Sequence, residues 1–317
     1  MKRPEWNRVV ALLAAPCAAV AVAPYLGALH WCADLLACFV VQALVCLIAA
    51  TAWFALVRSW ILAAATAIFA AIAGSAILPD VLGVDSFPQN GESGQGLQVA
   101  TLNLLHSNKE GHQAALEVIR AADPDVIWFG EYTPTWQDFL QTALHDYPYR
   151  LERPDLSAFG AALYARWPLQ DAEFLDGGHT WSPFGRAVAL TDAGPIGVLG
   201  VHPPPPQLRR GGAEERDRGL AAIRPMLDAL PPRRVVLGDF NSTPWNDTFQ
   251  AMRAACELSA GSTAWWLPSW PDPLPGLLRV PIDHVLVGGD LAVVDARLGP
   301  SIGSDHRPVV ATIRVGR

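Results

Sequence analysis

The sequence predicts an α/β domain with a two-layer β core flanked by helices, preceded by three transmembrane helices. Two observations predict it. Up to about residue 79 the chain is overwhelmingly apolar, whereas the rest of its 317 residues have the composition of a water-soluble domain. From residue 97 onward, strand-like apolar runs alternate with helical stretches.

Three uncharged runs carry the first prediction. Val9–Leu29 has 21 residues, Leu35–Val57 has 23 and Trp60–Pro79 has 20. A membrane helix needs roughly 20 apolar residues, so each run suffices. A cleaved signal peptide would explain the first run but not the second and third. Basic residues set the orientation. Lys2, Arg3 and Arg8 precede the first run and Arg58 separates the second from the third, whereas His30 and Asp34 lie between the first two. Lys and Arg favour the cytoplasmic side, which places the N-terminus in the cytoplasm and everything after residue 80 outside. Trp31, Trp53 and Trp60 fall near the run ends, where indole rings favour the interface.

The chain carries a formal charge of −7, and the part from residue 80 onward has 19 Lys and Arg against 28 Asp and Glu. A domain that grips phosphate backbones by bulk charge is basic, so this composition weighs against that mode of nucleic-acid binding. A bound metal can supply positive charge locally instead. Cys17, Cys32, Cys38 and Cys46 lie in the apolar part and Cys256 stands alone in the outer domain. No C-x-x-C pair or Cys/His cluster points to zinc.

The outer domain follows a linker at 81–96, whose second half, SFPQNGESGQG, is polar and Gly-rich. LQVATLNLL (97–105) reads as a strand and HQAALEVIRAAD (112–123) as an amphipathic helix. DVIWFGE (125–131) is a buried strand and TWQDFLQTAL (135–144) a helix. FGAALYARWPL, AEFLDG, RAVALTDAG and PIGVLGVH, within 159–202, form a run of strands. EERDRGLAAIRPMLDAL (214–230) is a long helix. RRVVLGDF (233–240) is a strand covered on both faces, since its apolar run is continuous, and NDTFQAMRAACEL (246–258) is a helix. PIDHVLVGG, LAVVDARLG and RPVVATIRV complete the strands.

Polar residues recur where these strands begin or end. Asn103 closes VATLN, Glu131 closes VIWFGE and His202 closes IGVLGVH. Asp239 and Asn241 close VVLGDFN, Asp283 opens IDHVLV, and Asp305 and His306 open SDHRPVVATI. Each alone is explained as a cap or turn former. Strands that share one sheet system can bring their ends to one rim. On an extended chain Asp239 and Asn241 point to one side and Phe240 to the other, into the core.

Taken together, TLN, FGE, GVH, GDFNSTP, IDHVLV and GSDHRPV, in that order, resemble the endonuclease/exonuclease/phosphatase family with its deoxyribonuclease-I-like fold. The resemblance spans roughly Leu97 to Val315. It implies a four-layer α/β sandwich, with two packed, mainly antiparallel sheets between helices. It also implies hydrolysis of phosphate esters dependent on Mg2+, with Mn2+ as the alternative, on phosphodiester or phosphomonoester substrates. Lipid head groups, small phosphoesters and nucleic acid remain open as substrates, and the three spans make the bilayer a partner.

The resemblance further implies roles. Asn103, Glu131 and Asp305 are the metal ligands, with Glu131 foremost; hard oxygen donors suit Mg2+. His202, Asp239, Asn241, Asp283 and His306 are catalytic. Asp239 orients or deprotonates water, Asn241 holds that water or a phosphate oxygen, His202 donates to the phosphate, and Asp283 fixes the imidazole of His306. Either Asp239 or His306 serves as the general base. Leu105 stands where the abasic-site repair branch has a second acidic residue, and His202 where it has tyrosine. The pattern is closer to the deoxyribonuclease and sphingomyelinase branches. His106 and Asn108 follow as pocket-lining candidates, and Trp265, Trp266 and Trp270 form an aromatic loop before Asp283.

Overall fold

The structure is a computed structural model, and it describes residues 3–82, 96–207, 212–261 and 265–315. Most of the 81–96 linker lies outside the described residues. The chain divides into two compact units, Met1–Leu82 with Thr243–Gln250, and Gly83–Ser242 with Ala251–Arg317.

The first unit contains helices α1 (Arg3–Val22), α2 (Trp31–Ala37), α3 (Val40–Leu56) and α4 (Trp60–Leu82). Two spans, Glu5–Tyr25 and Trp60–Leu82, are long and apolar enough to cross a membrane. The sequence places the middle span at 35–57 as one rod. The structure instead breaks it into α2 and α3, bent by 67°. The break falls at Cys38–Phe39, where Cys38 N–H bonds to Leu35 and Phe39 N–H to Leu36, three-residue spacings that tighten the turn. Counting the bent pair as one span gives three. Thr51 and Thr66 bind their own helices' carbonyls and each other at 2.8 Å, so α3 and α4 pair without an unsatisfied hydroxyl.

The second unit is a sandwich of two mixed sheets. One runs β10-β11-β1-β2-β4-β3 and the other β5-β6-β7-β8-β9. The strands are β1 (Leu97–Asn103), β2 (Val126–Gly130), β3 (Tyr149–Arg153), β4 (Ala161–Ala165), β5 (Leu169–Asp176), β6 (Pro183–Thr191), β7 (Gly194–Val201), β8 (Arg234–Asp239), β9 (Asp283–Gly288), β10 (Leu291–Leu298) and β11 (Val309–Val315). Among the described residues only β1–β2 and β7–β8 pair in parallel. Helices α5 (His112–Ala122), α6 (Pro134–Ala143) and α7 (Glu214–Leu227) belong to this unit, and α8 (Asp247–Cys256) is divided between the two units after Gln250.

Alternation along each strand sorts its side chains to two faces. Val99, Trp128, Leu163, Val198, Val235, Val285 and Ile313 form the core between the sheets. Leu102, Phe129 and Tyr164, on the opposite face of the first sheet, pack with Leu116, Ile119, Trp136 and Leu140 of α5 and α6. Trp128 fills the inter-sheet space so closely that a Cβ at Gly200 would lie 2.0 Å from its ring. Only glycine lets β7 pass beneath that indole.

Register then explains the rim. Asn103 pairs with Gly130, so the parallel strands β1 and β2 end together and Glu131 comes next. Val201 pairs with Gly238, which puts His202 beside Asp239. Asp239 itself pairs with Asp283. A Cβ at Gly130 would sit 3.7 Å from His202 Nδ1, so the two sheets meet at this end.

Candidate active site

Asp239 is the centre of the rim. It is 4% exposed, and its Oδ2 faces two imidazoles, His202 Nε2 at 3.5 Å and His306 Nε2 at 3.6 Å. Asn103 Nδ2, from the other sheet, donates to the same oxygen at 3.3 Å. Burial raises the Asp239 carboxyl, against the pull of the His306 charge, and leaves it at about 6.

His306 is also buried, with its Nδ1 2.8 Å from Asp283 Oδ2. Burial disfavours the imidazolium, but the Asp283 and Asp239 carboxylates outweigh it and lift the ring to about 10. These carboxylates favour the imidazolium form, in which both nitrogens donate.

Asn241 is held differently from the extended alternation read from sequence. Strand β8 ends at Asp239, and Asn241 turns into the left-handed region at φ 50°. Its backbone N–H donates to Asp239 Oδ1 at 2.8 Å, and its Nδ2 donates to the Pro203 carbonyl at 2.9 Å. Phe240 is fully buried. Gly238, at φ 147°, is forced by β7: a Cβ there would lie 2.0 Å from the Val201 carbonyl oxygen.

Glu131 also adopts a left-handed backbone, φ 55°, as does Leu105 at φ 58°. The Glu131 Oε2 accepts the His106 backbone N–H at 2.9 Å, and His106 Nδ1 lies 2.5 Å away. Burial raises the Glu131 carboxyl, but the His202 charge and the bonds from His106 and Asn103 bring it below its ordinary range. Asp305 Oδ2 accepts the Trp270 indole N–H at 3.1 Å, and its charge helps hold the His306 proton. Asn103, His202, Asp239, Asn241, Asp283 and His306 are thus joined by short contacts. Glu131 joins them through Asn103, and Asp305 lies beside His306 in the chain.

Three residues at this rim carried no sequence signal of their role. Ser269 Oγ donates to Asp283 Oδ2 at 2.6 Å, on the oxygen that also faces His306. His284 Nε2 lies 2.8 Å from the Ser242 carbonyl oxygen, and burial pushes its imidazole down to about 4. Asp272 is gripped by Arg279 and Arg307, and its N–H donates to the Asp305 carbonyl at 2.7 Å, fastening the aromatic loop beside Asp305. Of that loop, the Trp265 and Trp266 ring centroids lie 6.0 Å apart with the rings tilted by 35°, and the Trp270 ring lies 6.5 Å from that of His306.

The donor chemistry suits a divalent cation. Asp305 Oδ1 and Asp283 Oδ1 are buried without a hydrogen-bond partner among the described residues, and buried carboxylate oxygens need one. Asp239, Asp283 and His306 offer ligand atoms within 4.8 Å of one another. Carboxylate oxygens are the hard donors that a cation such as Mg2+ prefers.

A two-sheet α/β sandwich with its polar strand ends gathered at one rim defines the class of fold. The chain matches the Endonuclease/Exonuclease/phosphatase family over residues 100–306 and belongs to it; the family's members are hydrolases acting on phosphate esters. No curated protein matches the chain. Among solved structures, it is similar to a humanized D. rerio TDP2 with 14 mutations, at 13% identity over 69% of this chain and 99% of that one, with a TM-score of 0.57. An endonuclease/exonuclease/phosphatase from Beutenbergia cavernae DSM 12333 matches at 17% identity over 70% and 72%, TM-score 0.56. Sphingomyelinase C from Streptomyces griseocarneus matches at 20% identity over 69% and 99%, TM-score 0.52. At these identities the likeness concerns the fold.

Proposed function

We propose that the chain is a membrane-anchored, divalent-metal-dependent phosphoesterase whose catalytic domain, residues 97–317, lies outside the cytoplasm. The observation that carries the chemistry is the convergence of His202, His306 and Asn103 on one buried oxygen of Asp239. Phosphoryl transfer needs an in-line nucleophile and positive charge around the non-bridging oxygens. Asp239, ionised at neutral pH, orients water and takes its proton. His306, paired with Asp283 through Nδ1, donates toward the phosphate with His202 in this reading. Asn241, with its amide fixed on Pro203, presents its carbonyl to the water. Glu131, Asn103 and Asp305 would hold Mg2+ or Mn2+, which supplies positive charge to the phosphate oxygens when bound.

Phosphodiesters of lipid head groups suit an anchored enzyme of acidic charge. A second reading, an anchored nuclease, draws on the similarity to a D. rerio TDP2 complexed with single strand DNA product. The detergent-solubilised full-length chain, assayed on sphingomyelin, phosphoinositides, DNA, RNA and a generic phosphodiester, separates the two. EDTA is expected to abolish hydrolysis, and Mg2+ or Mn2+ to restore it. Chelator-resistant turnover would refute the metal dependence.

A further inference from the structure

Glu131 Oε2 accepts twice from one residue, the backbone N–H of His106 at 2.9 Å and its ring Nδ1 at 2.5 Å. An ionised carboxylate offers about two acceptor positions on each oxygen. Both positions of Oε2 are therefore occupied by His106, and with the Asn103 amide also bonded to this carboxylate, what is left for a cation is a position on Oε1.

The arrangement is built into the loop. Leu105 and Glu131 both take a left-handed backbone that L side chains avoid. Leu105 N–H donates to Asn103 Oδ1 at 3.1 Å, which orients the neighbouring amide. Asn108 fastens the same loop, donating to the Ile302 carbonyl at 3.0 Å and accepting from Gly111 N–H at 3.0 Å. The His106 side chain is 40% exposed, whereas the Glu131 side chain it contacts is 11% exposed.

We propose that His106 is a positioning residue that restricts Glu131 to one-oxygen coordination and so selects Mg2+ or Mn2+ over Ca2+. The inference rests on Glu131 being a metal ligand. Ca2+ takes six to eight oxygens and accepts both oxygens of one carboxylate, whereas Mg2+ takes six in a near-ideal octahedron and keeps several waters. A carboxylate with one oxygen already saturated suits the smaller ion. His106→Ala frees one position on Oε2 and lets Glu131 bind through both oxygens. His106→Asn keeps an N–H donor near the place of Nδ1.

The test is a binding measurement on the full-length chain in detergent. Mn2+ is titrated by electron paramagnetic resonance, then displaced with Mg2+ or Ca2+. Wild type is expected to release Mn2+ at about tenfold lower Mg2+ than Ca2+. The ratio should move about tenfold toward Ca2+ in His106→Ala, the size of effect that groups behind a ligand have on metal affinity, and return in His106→Asn. Should the Ala variant fail to fold, His106→Leu, which fills the ring's place without donating, reads the same ratio. A ratio equal in wild type and the Ala or Leu variant overturns the proposal, as does wild type that prefers Ca2+. Glu131→Gln separates the two levels. Full Mn2+ binding in that variant refutes the ligand assignment beneath the proposal, whereas lost binding there with an unmoved His106→Ala ratio overturns the role of His106 alone.

Discussion

Asp239 shows how burial and partners divide the chemistry among like groups. Its carboxyl is raised, yet it faces two imidazoles, so it remains ionised at neutral pH and basic enough to accept a proton. Asp239→Asn keeps the shape and removes that basicity. Hydrolysis should fall on the order of a thousandfold, within the range for a general base, with the thermal midpoint read beside it. Turnover above a tenth of wild type would remove Asp239 from the chemistry. Ser269 acts at one remove, since it touches Asp283 rather than the reacting centre. Ser269→Ala should lower kcat about tenfold and leave KM unchanged, and Ser269→Thr should restore it; an equal loss in both variants would point to packing instead.

At the scale of elements, the strand ends were legible because buried strands read as unbroken apolar runs, so a carboxylate or amide closing one stands out. Strand β3 was not legible: YRLER (149–153) alternates polar and apolar at a sheet edge and has no continuous run. Ser269 and His284 stayed hidden because a serine in a Trp-Pro loop and a histidine inside an apolar strand have ordinary explanations until their partners are seen. The turn at Asn241 was missed because side-chain alternation is a rule for strands, and β8 stops two residues earlier.

Two element-level tests follow from packing. Gly238→Ala places a methyl against the Val201 carbonyl in a backbone region closed to alanine, and should cost on the order of 3 kcal/mol or more. Chemical denaturation measures it, and a loss under 1 kcal/mol, the scale of an unstrained change, would contradict the close approach. Glu152 on β3 accepts from Tyr132 and Tyr164, both at 2.6 Å, and from Gln141 at 2.8 Å. Burial raises its carboxyl, but these donors outweigh that and leave it below the ordinary range. A depressed carboxyl stabilises the fold above its unfolded pKa, about 4.3 for glutamate, and loses that contribution as pH falls through the lower folded value. The stability gap between wild type and Glu152→Gln should therefore narrow as pH drops from 7 toward 3. A gap constant over that range would show that the ionised form has no part in it.

For the whole molecule, the bend between α2 and α3 decides more than local shape, because it decides parity. With three crossings, the ends of the chain lie on opposite sides of the membrane. If the bent pair enters and returns on one side, α1 and α4 are the only crossings, and the catalytic domain shares a side with the N-terminus. The charges favour three: Lys and Arg favour the cytoplasmic side, and if Lys2, Arg3 and Arg8 keep the N-terminus there, Arg58 between α3 and α4 returns to that side only if the bent pair crosses. An alkaline phosphatase fused after Arg317 is therefore expected to be active, and a fluorescent protein that folds only in the cytoplasm to stay dark at the same position. The reverse pattern would make the pair a re-entrant hairpin and move the hydrolase to the cytoplasmic face. The substrates within its reach would then be those of the inner leaflet and the cytoplasm.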